Sequence, residues 1–173
     1  MNEAAALPGR PFYLSWIPAF LFRTDPVPAR YVAKAWALMI APSLVLSFVV
    51  GNLLPQAGQP DFNVEAVGPG TTALLLVLFA PVVETLILLP IVLFLQRLFG
   101  AGPAAVGAAI LWGIAHSLQA SAWGLIVWWP FLVMSIALMT WRERGLWRAV
   151  GLVMIVHALQ NAFGAVLLLG FGV

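Results

Sequence analysis

Long stretches without any charged residue are the feature that most limits how this chain can fold. No Asp, Glu, Lys or Arg occurs from Leu98 to Trp141, and none occurs in 35–54, 66–83 or 149–173. About 20 apolar residues, rising ~1.5 Å each, let a helix cross the ~30 Å hydrocarbon core of a bilayer. The composition also indicates a membrane protein, since 63% of the residues are hydrophobic and only 8% are charged. The surface of a soluble protein carries more charge than this. The sequence therefore predicts an integral membrane protein.

The apolar runs are continuous, which favours helices over strands. A membrane-spanning barrel would need apolar and polar residues to alternate along each strand. We predict an all-α fold, a polytopic transmembrane helical bundle with about five spanning helices. The predicted spans are 35–54, 66–96, two spans within 98–141 separated by a turn at 117–124, and 149–173.

The N-terminal part of the chain differs from the rest. Residues 11–22 are apolar and rich in aromatic side chains, but this stretch is too short to span and contains Pro18. It predicts an interfacial or re-entrant helix. We divide the chain into an N-terminal cytoplasmic or interfacial segment, 1–34, and a transmembrane domain, 35–173, that carries the site. Residues 1–7 contain no Lys or Arg, so we expect no cleaved signal peptide.

The basic residues predict the orientation of the bundle. Cytoplasmic loops of membrane proteins carry an excess of Lys and Arg. With the N-terminus inside, all eight basic residues fall on one side, whereas the 55–70 loop holds only Asp61 and Glu65. The expected location is the bacterial cytoplasmic membrane, with the C-terminus outside and lipid as the surrounding partner. A net charge of +2 gives no reason to expect nucleic acid. The basic residues are Arg10, Arg23, Arg30, Lys34, Arg97, Arg142, Arg144 and Arg148.

Three ionisable side chains lie inside the apolar runs, where each is costly by several kcal/mol. They are Glu84, His116 and His157. Alone, each could be a structural hydrogen-bonding group or part of a proton relay. Counted from the predicted cytoplasmic boundary, however, all three lie near the middle of the bilayer. Asn161 follows His157 by four residues, so both project from one helix face. We expect a shared polar site, with the ends of the Glu84 and histidine side chains within about 8 Å of a common point.

The sequence around Glu84 suggests that water could reach it. Pro81 has no N–H and cannot complete the helical bond to the carbonyl of Val77, which leaves a free acceptor one turn from the carboxylate. Small residues fill 101–109, and small side chains allow helices to approach closely. His116 could thus be carried into the bundle interior.

These residue types suit hydrolysis of a peptide bond. The chain has no cysteine, which excludes thiolate chemistry and disulfides. Hydrolysis needs an activated water, a base and donors that stabilise the oxyanion. Glu84 can be the base, and His116 can orient the water or bind a metal. His157 and Asn161 can donate to the carbonyl oxygen as charge develops.

A metal is the open question in this chemistry. His116 and His157 with a carboxylate are a plausible set of zinc ligands, and zinc would generate hydroxide near neutral pH. Using Glu84 as a ligand, however, removes it as the base, and the apolar core offers no other acid. The sequence favours water activation without an obligatory metal, and a divalent ion such as zinc stays the alternative.

Three segments resemble the motifs of a known family. Residues 80–85 read APVVET, 112–116 read WGIAH and 155–161 read IVHALQN. They look like the motifs E-E-x-x-x-R, F-x-x-x-H and H-x-x-x-N/D of the CAAX protease and bacteriocin-processing family of intramembrane proteases, in the same order, over roughly 75–170. The resemblance implies an endopeptidase acting on a membrane-associated peptide or protein. It implies the catalytic residues Glu84, His116, His157 and Asn161, with Glu84 activating water.

The first motif departs from the family pattern. Thr85 stands where the family has a second glutamate, and Leu89 stands where it has arginine. A proteolytically inactive scaffold or a bacteriocin self-immunity protein is therefore the main alternative. A proton-coupled carrier is a third possibility, although the unequal spans show no internal repeat of the kind transporters use. The resemblance does not choose between prenylated and unprenylated substrates.

Overall fold

The fold is helical throughout the part of the chain that the structure describes. This is a computed structural model, and it describes residues 11–57 and 60–171. Within those ranges there is no strand, so the predicted all-α class is confirmed there. The helices are α1 (Pro28–Leu53), α2 (Val64–Val67), α3 (Pro69–Leu74), α4 (Ala80–Phe99), α5 (Ala101–Ser117), α6 (Gly124–Arg142) and α7 (Leu146–Phe171), with 3₁₀ turns at Phe12–Leu14, Ala19–Phe22 and Pro55–Ala57 and a π turn at Leu75–Phe79.

Among the described residues, four helices are long and apolar enough to cross a membrane, which indicates an integral membrane protein. They are Pro28–Leu53, Pro69–Phe99, Gly124–Arg142 and Leu146–Gly170. The helix predicted as the third span is α5, which has 17 residues. It rises about 26 Å, less than the ~30 Å hydrocarbon core. Membrane spans as short as about 17 residues occur, so α5 is at the lower limit of length and the fifth span stays a prediction. The predicted turn at 117–124 does lie between the end of α5 and the start of α6.

Helix α1 begins at Pro28, before the apolar run that predicted it. The backbone N–H of Val27 donates to the Asp25 carboxylate over 2.9 Å, and the Arg30 side chain pairs with the same carboxylate at 2.7 Å. The hydrogen bond from Arg30 holds the pKa of Asp25 at about 2, so the carboxylate is charged at neutral pH. Helix α1 includes Arg30 and Lys34. The predicted boundary between the N-terminal segment and the transmembrane domain, at 34/35, therefore falls inside this helix.

The N-terminal segment is not one helix, because Pro18 separates two 3₁₀ turns. It packs against the bundle at the end that carries the basic residues. The carbonyl oxygen of Leu21 accepts hydrogen bonds from the hydroxyls of Tyr31 and Thr140, both at 2.9 Å. The interfacial placement of this segment stays a prediction. Arg10 and the 1–7 stretch considered for a signal peptide lie outside the described residues. Within the segment Leu14, Ile17 and Leu21 are buried, whereas Phe12, Tyr13 and Trp16 are exposed.

Helix α6 forms the centre of the bundle. Its residues 129–141 are all buried, and α1, α5 and α7 pack around it. Helix α5 approaches it most closely at Gly113 and Gly124, where a Cβ atom on Gly124 would overlap the carbonyl group of Gly113. Helix α1 is tied to it by the Trp129 indole, which donates to the carbonyl of Leu38 over 2.8 Å. Helix α4 packs on α5 and α7, so α4, α5 and α7 meet beside the centre.

Candidate functional site

Three of the four predicted site residues meet where α4, α5 and α7 come together. One carboxylate oxygen of Glu84, Oε2, lies 4.0 Å from Nε2 of His116 and 3.7 Å from Nε2 of His157. Both histidines are buried, and the Glu84 side chain is 23% exposed. The expected convergence is therefore seen for these three residues, each on a different helix.

His116 is held in one orientation by its own helix. Its Nδ1 lies 2.8 Å from the carbonyl oxygen of Trp112, one turn earlier. A carbonyl oxygen can only accept, so Nδ1 carries the proton. In the neutral ring Nε2 then has no hydrogen and presents a lone pair toward Glu84. His116 is thus an acceptor at the site.

His157 faces the site with its other nitrogen unpaired. Its Nδ1 is buried and has no hydrogen-bond partner among the described residues. Its ring lies edge-on to Phe131, with 5.6 Å between ring centroids. The polar contact of this ring is therefore made through Nε2, toward Glu84. When Nε2 carries the proton, His157 is a donor at the site, which complements His116.

Aromatic side chains fix both histidines, and these neighbours were not predicted as part of the site. Trp112 stacks on Phe131 with centroids 4.6 Å apart and planes 8° from parallel. Trp123 lies edge-on to His116 at 4.6 Å. The spacing of Trp112 and His116, four residues apart on one helix, was a usable signal. Phe131 and Trp123 come from α6 and the turn before it, and no sequence spacing connects them to the site.

Asn161 supports the backbone upstream of Glu84. In the π turn the Ala80 N–H donates to Leu75, five residues back. The next donor in that register would serve Leu76, but it belongs to Pro81, which has no N–H. The Asn161 amide donates to the Leu76 carbonyl instead, over 2.9 Å. The sequence predicts a free carbonyl at Val77 on an α-helical register. In the π register of this turn, the carbonyl that Pro81 cannot serve is that of Leu76.

A cavity of about 440 Å³ extends from these side chains to the end of the bundle that lies away from the described basic residues. Glu84, His116 and His157 line its inner part. Phe62 and Trp123, from the α1–α3 connection and the α5–α6 turn, line it nearer that end. The polar site is therefore reached through a largely apolar cavity. Its other lining side chains include Ile40, Ser43, Leu44, Ser47, Leu76, Gln119, Gln160, Asn161, Phe163, Gly164, Leu167 and Leu168.

Thr85 and Leu89, the two positions at which the first motif differs from the family pattern, do not line this cavity. Thr85 is fully buried, and its hydroxyl has no hydrogen-bond partner in the described part of the chain. Leu89 is partly buried and packs against the apolar core. Neither side chain is among those that border the cavity. Thr85 and Leu89 thus pack into the core around α4 and do not border the cavity that Glu84 and the histidines line.

The three side chains do not form a metal site in this arrangement. Two ligands of a tetrahedral zinc ion lie about 3.3–3.6 Å apart, given bonds of 2.0–2.2 Å. The carboxylate oxygen of Glu84 lies 3.7 and 4.0 Å from the two imidazole nitrogens. Within residues 11–57 and 60–171, no group of three or more His, Asp or Glu side chains is arranged to hold a metal ion. The donor types suit zinc, and the two distances from Glu84 are wider than the tetrahedral value.

Comparison with known proteins gives no relative from which a role could be transferred. No family model, no curated protein and no solved structure matches the chain.

Proposed function

We propose that this protein hydrolyses peptide bonds within the membrane, with Glu84 as the base that activates water. One observation carries the proposal. A carboxylate lies between two imidazole Nε2 atoms, at 3.7 and 4.0 Å, at the inner end of a cavity in the apolar bundle. Ionisable groups inside a membrane bundle are costly and mark functional sites. A purely structural ion pair would be expected to close to direct hydrogen-bond distance, about 2.7–3.2 Å.

The distances from the carboxylate to the two rings suit one water molecule that hydrogen-bonds to all three groups. Polar groups this far apart are commonly bridged by water. In the proposed reaction Glu84 takes a proton from that water. His116 accepts the second hydrogen of the water at its bare Nε2 and thereby orients it. The water oxygen forms a bond to the carbonyl carbon of the substrate, and the carbon–nitrogen bond then breaks. The proton held by Glu84 passes to the departing amine, so the step balances without another reactant.

The negative charge that develops on the carbonyl oxygen of the substrate must be stabilised by a hydrogen-bond donor at the same site. His157, protonated at Nε2, is the side chain we assign to this role, and losing one such donor typically costs about 3 kcal/mol of transition-state stabilisation. Asn161 was expected to share it. One of its N–H groups instead donates to Leu76, and we assign Asn161 to positioning. It holds the irregular backbone of the helix that carries Glu84.

Membership of the CAAX protease and bacteriocin-processing family is part of the proposal. It is supported by the order of the three motifs and by the contacts between Glu84 and both histidines. A scaffold or self-immunity protein of the same family is the second candidate, favoured by Thr85 and Leu89 in the first motif. The mechanism uses no metal, because Glu84 as a metal ligand would no longer be free to act as the base.

The proposed orientation places the N-terminus in the bacterial cytoplasm and the C-terminus outside. It rests on the basic residues, which occur at one end of the described bundle. The chain has no native cysteine, so single-cysteine variants can be compared directly. An impermeant thiol reagent added to intact cells should label the Asp61→Cys variant and leave the Arg144→Cys variant unlabelled until the cells are opened. Labelling of position 144 from outside would overturn this topology.

Hydrolysis can be tested without knowing the substrate. The purified protein, reconstituted with a membrane-protein fraction, should generate new peptide N-termini that mass spectrometry maps to apolar segments. These ends should form equally with a chelator present. Ends that disappear with the chelator and return with zinc would support the metal alternative. No new ends from a well-folded preparation would favour the scaffold.

A further inference from the structure

A short stretch of sequence occurs twice, once around each histidine of the site. Residues 114–120 read IAHSLQA and residues 155–161 read IVHALQN. The two stretches share the isoleucine, the histidine, the leucine and a glutamine three residues after the histidine. Gln119 and Gln160 both line the cavity. Their surroundings differ, however, because α5 ends before Gln119 whereas α7 continues well beyond Gln160.

The turn that follows α5 places Gln119 beside His116. The backbone N–H of Gln119 donates to the carbonyl oxygen of His116 over 3.0 Å. In a turn closed by such a bond, the side chains of the first and last residues stand one above the other, with Cβ atoms about 5–6 Å apart. The Ser121 hydroxyl donates to the Ala57 carbonyl over 3.0 Å and ties the same turn to the α1–α3 connection. Gln119 is therefore held next to His116, on the side of the open end of the cavity.

The Gln119 carboxamide is accessible to a ligand. Gln119 is exposed, and its side chain makes no hydrogen bond to another described residue. Two other carboxamides line the cavity, and both are only partly exposed. Asn161 donates to the Leu76 carbonyl, and the Gln160 oxygen is buried without a partner in the described part of the chain. Gln119 is thus the most accessible of the three.

The proposed hydrolysis needs more than one donor to the oxyanion. Enzymes that attack a carbonyl commonly surround the developing charge with several hydrogen-bond donors. His157 supplies one, and the Asn161 amide is occupied at Leu76. A glutamine side chain suits the second role, because its NH₂ group offers two donors and neither gives up nor takes a proton. The attacking water is oriented by His116, and Gln119 stands beside that ring.

We infer that Gln119, together with His157, donates a hydrogen bond to the carbonyl oxygen of the substrate as negative charge develops there. The inference rests on the proposed function and adds a catalytic residue to it. Gln119 lies outside all three segments that resemble the family motifs. Gln160, its counterpart in the repeated stretch, is assigned no contact with the reacting atoms.

Binding of a transition-state analogue tests this role without a known substrate. The probe is a short apolar peptide with Leu on both sides of a phosphinate group, whose tetrahedral, negatively charged centre resembles the intermediate. The reference is the same peptide with a planar, uncharged ketomethylene group, which cannot be cleaved. Both are measured with a chelator present, so that the phosphinate does not bind through a metal. A cavity of about 440 Å³ is of the size that holds small ligands.

The expected result is a selective loss of phosphinate binding. Losing one oxyanion donor typically lowers kcat by ~10²–10³, so Gln119→Leu should weaken phosphinate binding about tenfold to hundredfold. Binding of the ketomethylene peptide should change by less than about twofold, because the lost bond is made to the charged tetrahedral centre. Gln119→Glu keeps the shape of the side chain but presents an oxygen in place of the donor, and it should lose at least as much.

Cleavage of a segment mapped from the membrane-protein fraction gives a second readout. Gln119→Leu should lower kcat by about 10²-fold with KM nearly unchanged, which is the signature of an interaction made only in the transition state. Thermal stability should stay at the wild-type value, because the side chain is exposed and forms no hydrogen bond within the described residues. A purely structural role would instead lower kcat and stability together.

Gln160→Leu is the matched control, because it makes the same change at the same distance from the other histidine. Phosphinate binding and kcat should stay near their wild-type values, since the Gln160 oxygen is buried and unable to reach a ligand. Equal losses in the two glutamine variants would overturn the assignment of Gln119. Phosphinate binding that Gln119→Leu leaves unchanged would overturn it as well.

The outcomes separate this inference from the proposed function. Phosphinate binding that depends on Gln119, with no cleavage by the wild type, would keep the donor and refute hydrolysis. Cleavage that depends on Glu84 but not on Gln119 would keep hydrolysis and refute the donor. A wild-type protein that binds the phosphinate no more tightly than the ketomethylene peptide would also refute the donor, because the cavity would then not favour a tetrahedral anion.

Discussion

Replacing Glu84 with glutamine should lower the rate of peptide cleavage by a factor of about 10² or more, with expression and thermal stability near those of the wild type. Glutamine keeps the size and hydrogen bonding of the side chain but cannot accept the proton of the attacking water. The Glu84 side chain borders the cavity and is partly exposed, so the change adds no cavity in the core. The measurement is the rate at which mapped new N-termini appear, per folded protein.

The controls separate chemistry from folding. Thr85→Ala and Leu89→Ala should be mild, because neither residue lines the cavity. His157→Ala should match the Glu84→Gln loss, because it removes the donor to the oxyanion. Asn161→Ala should have a smaller effect, since it acts through the backbone at Leu76. Full cleavage by a well-folded Glu84→Gln protein would refute the mechanism, and loss only in proportion to folded protein would favour the scaffold.

Replacing Gly124 with alanine should destabilise the protein more than any change at the site, by about 3 kcal/mol. An added Cβ would overlap the Gly113 carbonyl and the Ser117 hydroxyl. The contact with backbone cannot be relieved by a rotamer change, so α5 and α6 must move apart. Cleavage should fall together with the folded fraction, which thermal unfolding in detergent can follow.

Gly151 on α7 is the matched control for this substitution. An added Cβ there has no atom within 4 Å, and alanine is favoured over glycine in a helix by roughly 0.5–1 kcal/mol. Gly151→Ala should therefore unfold at the same temperature as the wild type or a slightly higher one. Equal stability of Gly124→Ala and Gly151→Ala would show that α5 and α6 do not meet as closely as the structure indicates.

The features that could be predicted from sequence depend on charge and hydrophobicity along the chain. A bilayer penalises ionisable side chains strongly, so Glu84, His116 and His157 stood out, and their similar depth predicted that they would meet. The turn before Gly124 followed from a polar, small-residue stretch in an otherwise apolar run. Both inferences need only the position of a residue along a helix.

The rest depended on where helices begin, end and touch. Helix α5 has 17 residues, at the lower limit of length for a span, and composition alone does not show where it ends within 98–141. Phe131 and Trp123 are apolar aromatic residues in a chain rich in them, so nothing in the sequence distinguished them. Their contacts with His116 depend on how α5 packs against α6.

The π turn at Leu75–Phe79 determines the direction in which Glu84 points. One extra residue in a turn rotates everything after it by about 100° relative to an unbroken α-helix. Without the π turn, the carboxylate of Glu84 would thus point to a different side of its helix from the one that faces the histidines. The direction of the Glu84 side chain, the proposed base, thus depends on the backbone geometry that precedes it. The hydrogen bond from Asn161 to Leu76 connects this part of the backbone to α7, the helix that carries His157.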